Sequence, residues 1–166
     1  MVPDEHPLHI GDHAPDFHLY NTGHEQVSLH SFLEHGNVVL LFFPLAFTDV
    51  CTQELCSMRD HMATYSQLNA IIVGVSVDSM FALAKFKEEQ HFQFDLLSDF
   101  NREVSRQYHV LHEHFPLFHM KNVSQRAAFV IDRQQTIQYA ERLDDPGKIP
   151  NFDKIQETLK KCHKDS

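Results

Sequence analysis

Residues 38–56 read Val38-Val39-Leu40-Leu41-Phe42-Phe43-Pro44-Leu45-Ala46-Phe47-Thr48-Asp49-Val50-Cys51-Thr52-Gln53-Glu54-Leu55-Cys56. The apolar run Val38–Phe43 is too short for a typical helix and does not alternate, so it predicts a strand covered on both faces. Pro44 ends it. From residue 51 to 68 the period changes: Leu55, Met58, Met62 and Tyr65 recur at intervals of 3, 4 and 3 and share one helical face. A second buried-strand pattern, Ala70–Val77, follows. Strand, helix, strand is a βαβ unit with a parallel pair and a right-handed crossover. Cys51 then sits where the loop after the first strand becomes the first turn of the helix. Unpaired backbone N–H groups and the positive end of the helix dipole meet there and favour a thiolate, the nucleophilic form of the residue.

Working outward, Phe17–Tyr20 and Glu25–Leu29 flank Asn21-Thr22-Gly23-His24 and predict a hairpin. Asp78 and Ser79 are candidate caps for a helix over 80–91. Phe94–Leu97 predicts a short strand, and Asp99 a brief helix through Tyr108. Residues 109–125 show no clear period and predict a long loop. Ala127–Ile131 reads as a buried strand, 132–135 as a turn, Thr136–Ala140 as an antiparallel return. Phe152, Ile155, Leu159 and Cys162 stripe a last helix. The whole predicts one α/β domain over 1–166, with a central mixed sheet and helices on both faces.

Composition narrows the function. Among 166 residues, 42% are hydrophobic, enough for one sizeable core, and the net charge is −9. Nucleic-acid binding draws on clustered Lys and Arg, so the balance argues against it. No run of about 18 apolar residues predicts a membrane span. Residues 1–7 are acidic and proline-bearing, unlike a secretory leader, and the expected compartment is the cytoplasm. Three cysteines are too few and odd in number for a disulfide scaffold. Fourteen His make the surface charge sensitive to pH between about 5 and 7. His109, His112, His114 and His119 have no metal-ligand spacing and read as solvated. No cofactor or metal is expected.

Pro44-x-x-x-Thr48-x-x-Cys51, with Ala14-Pro15-Asp16-Phe17 ahead of it and Arg126-Ala127-Ala128-Phe129-Val130-Ile131-Asp132 behind, resembles the active-site pattern of the peroxiredoxins. These are thiol peroxidases on a thioredoxin-like fold, and the likeness spans roughly residues 8–160. The resemblance implies that Cys51 is oxidised by a hydroperoxide to sulfenic acid. It also implies that Thr48 orients thiolate and peroxide, that Pro44 shields the sulfur, and that Arg126 stabilises the thiolate and binds the peroxide oxygens. Glu54 matches a position that often holds such an arginine; on the residues alone a surface acid in the first helical turn is an equal reading. Two positions depart from the pattern. Asp49 puts an acid beside the nucleophile, and Gln135 stands where glycine is expected in a turn.

Cys56 has two readings. The spacing resembles the bacterioferritin-comigratory, or PrxQ, branch, in which a cysteine five residues on resolves the sulfenic acid as a disulfide. Phe42-Phe43-Pro44-Leu45-Ala46-Phe47-Thr48 resembles the AhpE-like branch, many of whose members lack a resolving cysteine and use an external thiol. The first is preferred. In an intact helix five residues give about 7.5 Å of rise, beyond the roughly 7 Å Cα separation that a disulfide tolerates, so a Cys51–Cys56 bond requires local unwinding. Cys162 reads as a structural thiol. Expected partners are a hydroperoxide and thioredoxin or a similar thiol, the protein being a monomer or homodimer. The competing classes are a general thiol–disulfide oxidoreductase, which usually carries Cys-x-x-Cys, and a non-enzymatic His-rich metal-binding module.

Overall fold

A computed structural model describes residues 7–164; the acidic start at residues 1–6 lies outside them. The strands are β1 (His18–Asn21), β2 (Gln26–Ser28), β3 (Asn37–Phe42), β4 (Ala70–Ser76), β5 (Asp95–Ser98), β6 (Leu111–His114), β7 (Lys121–Ser124), β8 (Arg126–Ile131) and β9 (Ile137–Leu143). The helices are α1 (Leu29–Leu33), α2 (Asp49–Asp60), α3 (Met62–Gln67), α4 (Met80–Gln90), α5 (Glu103–Gln107) and α6 (Phe152–Lys164). Seven strands form one sheet in the order β2-β1-β5-β4-β3-β8-β9. β3 runs parallel to β4 and antiparallel to β8, so the sheet is mixed.

Every residue of β3 is buried, as the unbroken apolar run requires. Its side chains alternate between two cores. Val39 and Leu41 join Leu55 and Met58 of α2, Leu83 and Phe86 of α4, and Ile155 and Leu159 of α6. Val38, Leu40 and Phe42 join Leu29 and Leu33 of α1, Val104 of α5, and Tyr108. Helices therefore cover both faces, and β3 is pinned in the middle with its C-terminal end aimed at the Cys51 loop.

Three local expectations are corrected. The helix expected over 51–68 is two helices, because the chain leaves helical geometry at His61 (φ −111°, ψ 16°). The apolar period crosses that break undisturbed, since Met58 and Tyr65 both reach the same core. The segment 109–125 is not a long loop but an antiparallel hairpin, β6 with β7, forming its own two-stranded sheet. The early strand ends at Ser28, whose side chain accepts from the Ser31 N–H and caps α1. Gln135 adopts φ 66°, the left-handed conformation that glycine would supply at least cost, and its side-chain amide donates to the Ala14 carbonyl at 2.7 Å. Asp99 caps α5 from outside, its two carboxylate oxygens accepting from the Val104 and Ser105 N–H groups.

Candidate active site

The loop from β3 to α2 is fixed at several points. Phe43 N–H donates to the Val75 carbonyl at 3.0 Å. Ala46 N–H donates to Asp78 Oδ2 at 2.8 Å, and the same oxygen accepts from Ser76 Oγ at 2.7 Å. Asp78 thus ties the loop to the end of β4, while Ser79 alone caps α4. These ties hold Phe47 at φ 66°, a left-handed conformation uncommon for a bulky residue. Thr48 is the N-cap of α2, and Cys51 is the third helical residue. Cys51 is 1% exposed, at the positive end of the helix.

Two further side chains meet it. Glu54, one turn along α2 from Cys51, is fully buried. Arg126, the first residue of β8, is 1% exposed and bridges the two. Its Nη1 donates to Glu54 Oε2 at 2.8 Å, and its Nη2 to Cys51 Sγ at 3.2 Å. Nη2 also donates to the Pro146 carbonyl at 3.0 Å. The guanidinium is thereby clamped between a carboxylate and a loop carbonyl, with one N–H edge on the sulfur. Burial works against the Arg126 charge, but Glu54 and Cys51 more than offset it and hold the group above its ordinary value. Burial pushes Glu54 up to about 7 even though Arg126 opposes that shift. Of the pair, Glu54 is the member that titrates near neutrality. Glu54 Oε1 and Arg126 Nε find no hydrogen-bond partner among the described residues. A buried pair with unsatisfied atoms is a poor stabilising device, which directs attention to what it does for the sulfur.

Cys51 and Arg126 open on a cavity of about 390 Å³. Pro44, Leu45 and Thr48 form one wall, and Phe115, Leu117, Phe118 and Met120 from the tip of the β6–β7 hairpin form the other. Val77, Phe115 and Val123 make a small core, joined by Leu45 and Met120, that seats the hairpin on the active-site loop. Sequence reasoning missed this wall. Its signal was there: apolar residues at 115, 117, 118 and 120, in a stretch whose polar positions drew attention to histidine.

The expected site residues are placed as follows. Cys51, Arg126, Glu54, Pro44 and Thr48 converge. Pro44 is buried. Thr48 lines the cavity, but its hydroxyl donates to the Leu45 carbonyl at 2.9 Å. Its proton is therefore committed, and its oxygen can only accept from a molecule in the cavity. Asp49 is exposed in the first turn of α2, at the edge of the same cavity. Cys56 lies on the same unbroken helix as Cys51, and its thiol donates to Gln90 Oε1 at 3.4 Å. Cys162 is half-buried on α6, beside a cleft lined by Asn37, Asp132 and Lys161. His112 is not solvated: it is half-buried against the Phe115 ring (6.0 Å), and burial lowers its proton affinity. Among the described residues no three His, Cys, Asp or Glu are grouped so as to hold a metal ion, and no helix is long and apolar enough to cross a membrane.

Comparison with known proteins shows the family. Residues 10–140 match the family model described as AhpC/TSA. Alkyl hydroperoxide reductase E of Mycobacterium tuberculosis is 34% identical over 144 residues, covering 86% of this chain and 90% of that protein. The bcp peroxiredoxin of Haemophilus influenzae is 34% identical over 131 residues, covering 79% and 84%. The crystal structure of peroxidoxin BcpB from Mycobacterium tuberculosis superposes with a TM-score of 0.79 at 31% identity, covering 92% of this chain and 96% of that one.

Proposed function

The chain belongs to the AhpC/TSA family and is a thiol-dependent peroxidase with a thioredoxin-like fold, and from that premise we propose that Cys51 is the peroxidatic thiol, served by Arg126, Glu54, Thr48 and Pro44. The observation that carries this reading is the 3.2 Å hydrogen bond from Arg126 to the Cys51 sulfur inside a buried trio with Glu54. The Cys51 thiolate attacks the terminal oxygen of ROOH. An S–O bond forms, the O–O bond breaks, and RO⁻ leaves to take up a proton as ROH. Negative charge moves from sulfur onto oxygen, and preorganised donors count most where such charge develops. Arg126 Nη2 is the donor placed to follow that movement. Glu54 grips the far edge of the guanidinium and fixes its plane. The Thr48 oxygen accepts the O–H of the incoming peroxide. Pro44 offers no N–H and closes a dry wall.

In the same reading the apolar hairpin wall admits the organic part of alkyl hydroperoxides, and hydrogen peroxide enters without using it. Cys56 then attacks the Cys51 sulfenic acid. The S–S bond forms, hydroxide leaves from Cys51, and the Cys56 proton makes it water. The helical distance between the two cysteines means that α2 unwinds at its start. Thioredoxin, or a similar dithiol, reduces the disulfide. We place this cycle in the cytoplasm, in a monomer or homodimer acting as one thioredoxin-like unit.

A second reading is favoured by the continuity of α2 and the Cys56–Gln90 bond: Cys56 is a packed thiol, and an external thiol reduces Cys51 directly. Mass analysis after one equivalent of peroxide separates the two. The first gives a Cys51–Cys56 disulfide with no link to Cys162, two hydrogens lighter than the reduced protein. The second gives a persistent sulfenic acid, one oxygen heavier, in wild type.

A further inference from the structure

Arg59 lies on α2 one turn beyond Cys56, and the peroxide chemistry leaves it unused. Its surroundings are specific. Nη1 donates to the main-chain carbonyl of Gln90 at 2.7 Å, and Nε to Asp60 Oδ1 at 3.0 Å. Gln90 is the last residue of α4, and His91 after it turns left-handed (φ 58°). The carbonyl that Arg59 holds is therefore one that the helix itself leaves unpaired, at the negative end of the α4 dipole, where a cation is favourable. The side chain of that same Gln90 accepts the Cys56 thiol at 3.4 Å. One residue of α4 thus gathers both the thiol and the guanidinium. The guanidinium is held above its ordinary value chiefly by the Asp60 hydrogen bond, with the Cys56 sulfur close enough to add to it.

This arrangement solves a problem that the resolving reading creates. The first turns of α2 must come apart, yet Leu55 and Met58 anchor the helix in the core, and the chain needs a place where the opening stops. We propose that Arg59, fastened to the end of α4, is the positioning residue of Cys56: it halts the unwinding of α2 at its own turn and keeps a cation beside the resolving thiol. The proposal rests on the reading that Cys56 resolves. When the strand of chain before Arg59 opens, Cys56 leaves Gln90 Oε1 but remains tethered three residues from a fixed point. From there it reaches Cys51: Cys51–SOH and Cys56–SH give the disulfide and one water. Arg59 stabilises the anionic sulfur that makes the attack.

The test is single-turnover rapid quench with thiol labelling, which reads Cys51 oxidation and disulfide formation in one reaction. In Arg59→Ala the ratio of the disulfide rate to the oxidation rate falls about tenfold, the effect of losing one charge-assisted contact. Arg59→Lys, which keeps the charge, recovers most of it. A ratio in Arg59→Ala equal to wild type, or equal losses in Ala and Lys, overturns the proposal. Hydrogen exchange on oxidised wild type tests the boundary without any variant. Amides 52–57 lose protection, and those of His61 and Tyr65, bonded to the Met58 and His61 carbonyls, keep it; loss running through α3 overturns the stop at Arg59. Wild type that forms no Cys51–Cys56 disulfide overturns the resolving reading itself, a result distinct from both.

Discussion

Cys51 and Cys56 stand five residues apart on one helix and share almost nothing else. Cys51 is 1% exposed and receives a hydrogen bond from a buried cation. Cys56 is half-buried and gives its own hydrogen to a neutral amide. The first is held as an acceptor, the second as a donor. Position along a helix therefore says little about a thiol's chemistry; what matters is which strand or helix end faces it. β8 delivers Arg126 to one, and the end of α4 delivers Gln90 to the other.

The largest break in this comparison is Cys51→Ser. It abolishes peroxide consumption while Cys56 remains, because a hydroxyl supplies almost no anion at neutral pH; residual turnover measured with a coupled peroxide assay would make the two sulfurs equivalent. Next is Arg126→Ala, which slows the second-order reaction with peroxide by about 10²–10³, the usual loss for one donor at a charge-developing site. Stopped-flow rates near wild type would detach β8 from the chemistry.

Glu54 sharpens the comparison through pH. Burial in the native fold raises its carboxyl to about 7, against 4.5 for the solvent-exposed side chain. Between these values the folded protein binds more protons than the unfolded chain. Stability therefore falls as pH rises from about 4.5 to about 7, and levels off above. Urea midpoints measured across that window show a downward slope in wild type. Glu54→Gln, neutral throughout, removes this contribution to the slope. The smallest effect belongs to the cavity mouth. Phe118 is 83% exposed, so Phe118→Ser leaves the thermal midpoint within about 2 °C, since surface changes stay within about 0.5 kcal/mol. It lowers the rate ratio of a bulky organic hydroperoxide to hydrogen peroxide a few-fold.

Much of this was legible in the sequence where the determining interaction is local. β3 announced itself because burial on both faces demands an unbroken apolar run. Pro44, Thr48 and Cys51 stand within eight residues on one loop and helix start. Glu54 and Arg126 are separated by 72 residues, and no spacing rule joins them; only the family resemblance suggested that they meet. The break at His61 stayed hidden because the apolar stripe serves one core on both sides of it. The β6–β7 hairpin stayed hidden for a different reason. Its strands pair mainly with each other and bury only Val123 and Ser124, with Val110 and Phe115 buried at the flanks, too few positions to print a period.

That separate little sheet has a consequence for how the enzyme can change over evolutionary time. The seven-stranded sheet carries the arginine at the start of β8 and, after β3, the loop into the helix that bears the sulfur and the acid, so an altered register there would disturb all three. The hairpin carries only the rim, on its own backbone pairing, and lengthening such a connection costs little: about 0.6 kcal/mol per doubling of a flexible loop. Insertions, deletions and new side chains at residues 116–119, between the two anchors Phe115 and Met120, can therefore retune which molecules enter without renegotiating the reaction. A graft of this segment between relatives is the experiment nature has the cheapest access to, and a laboratory can repeat it.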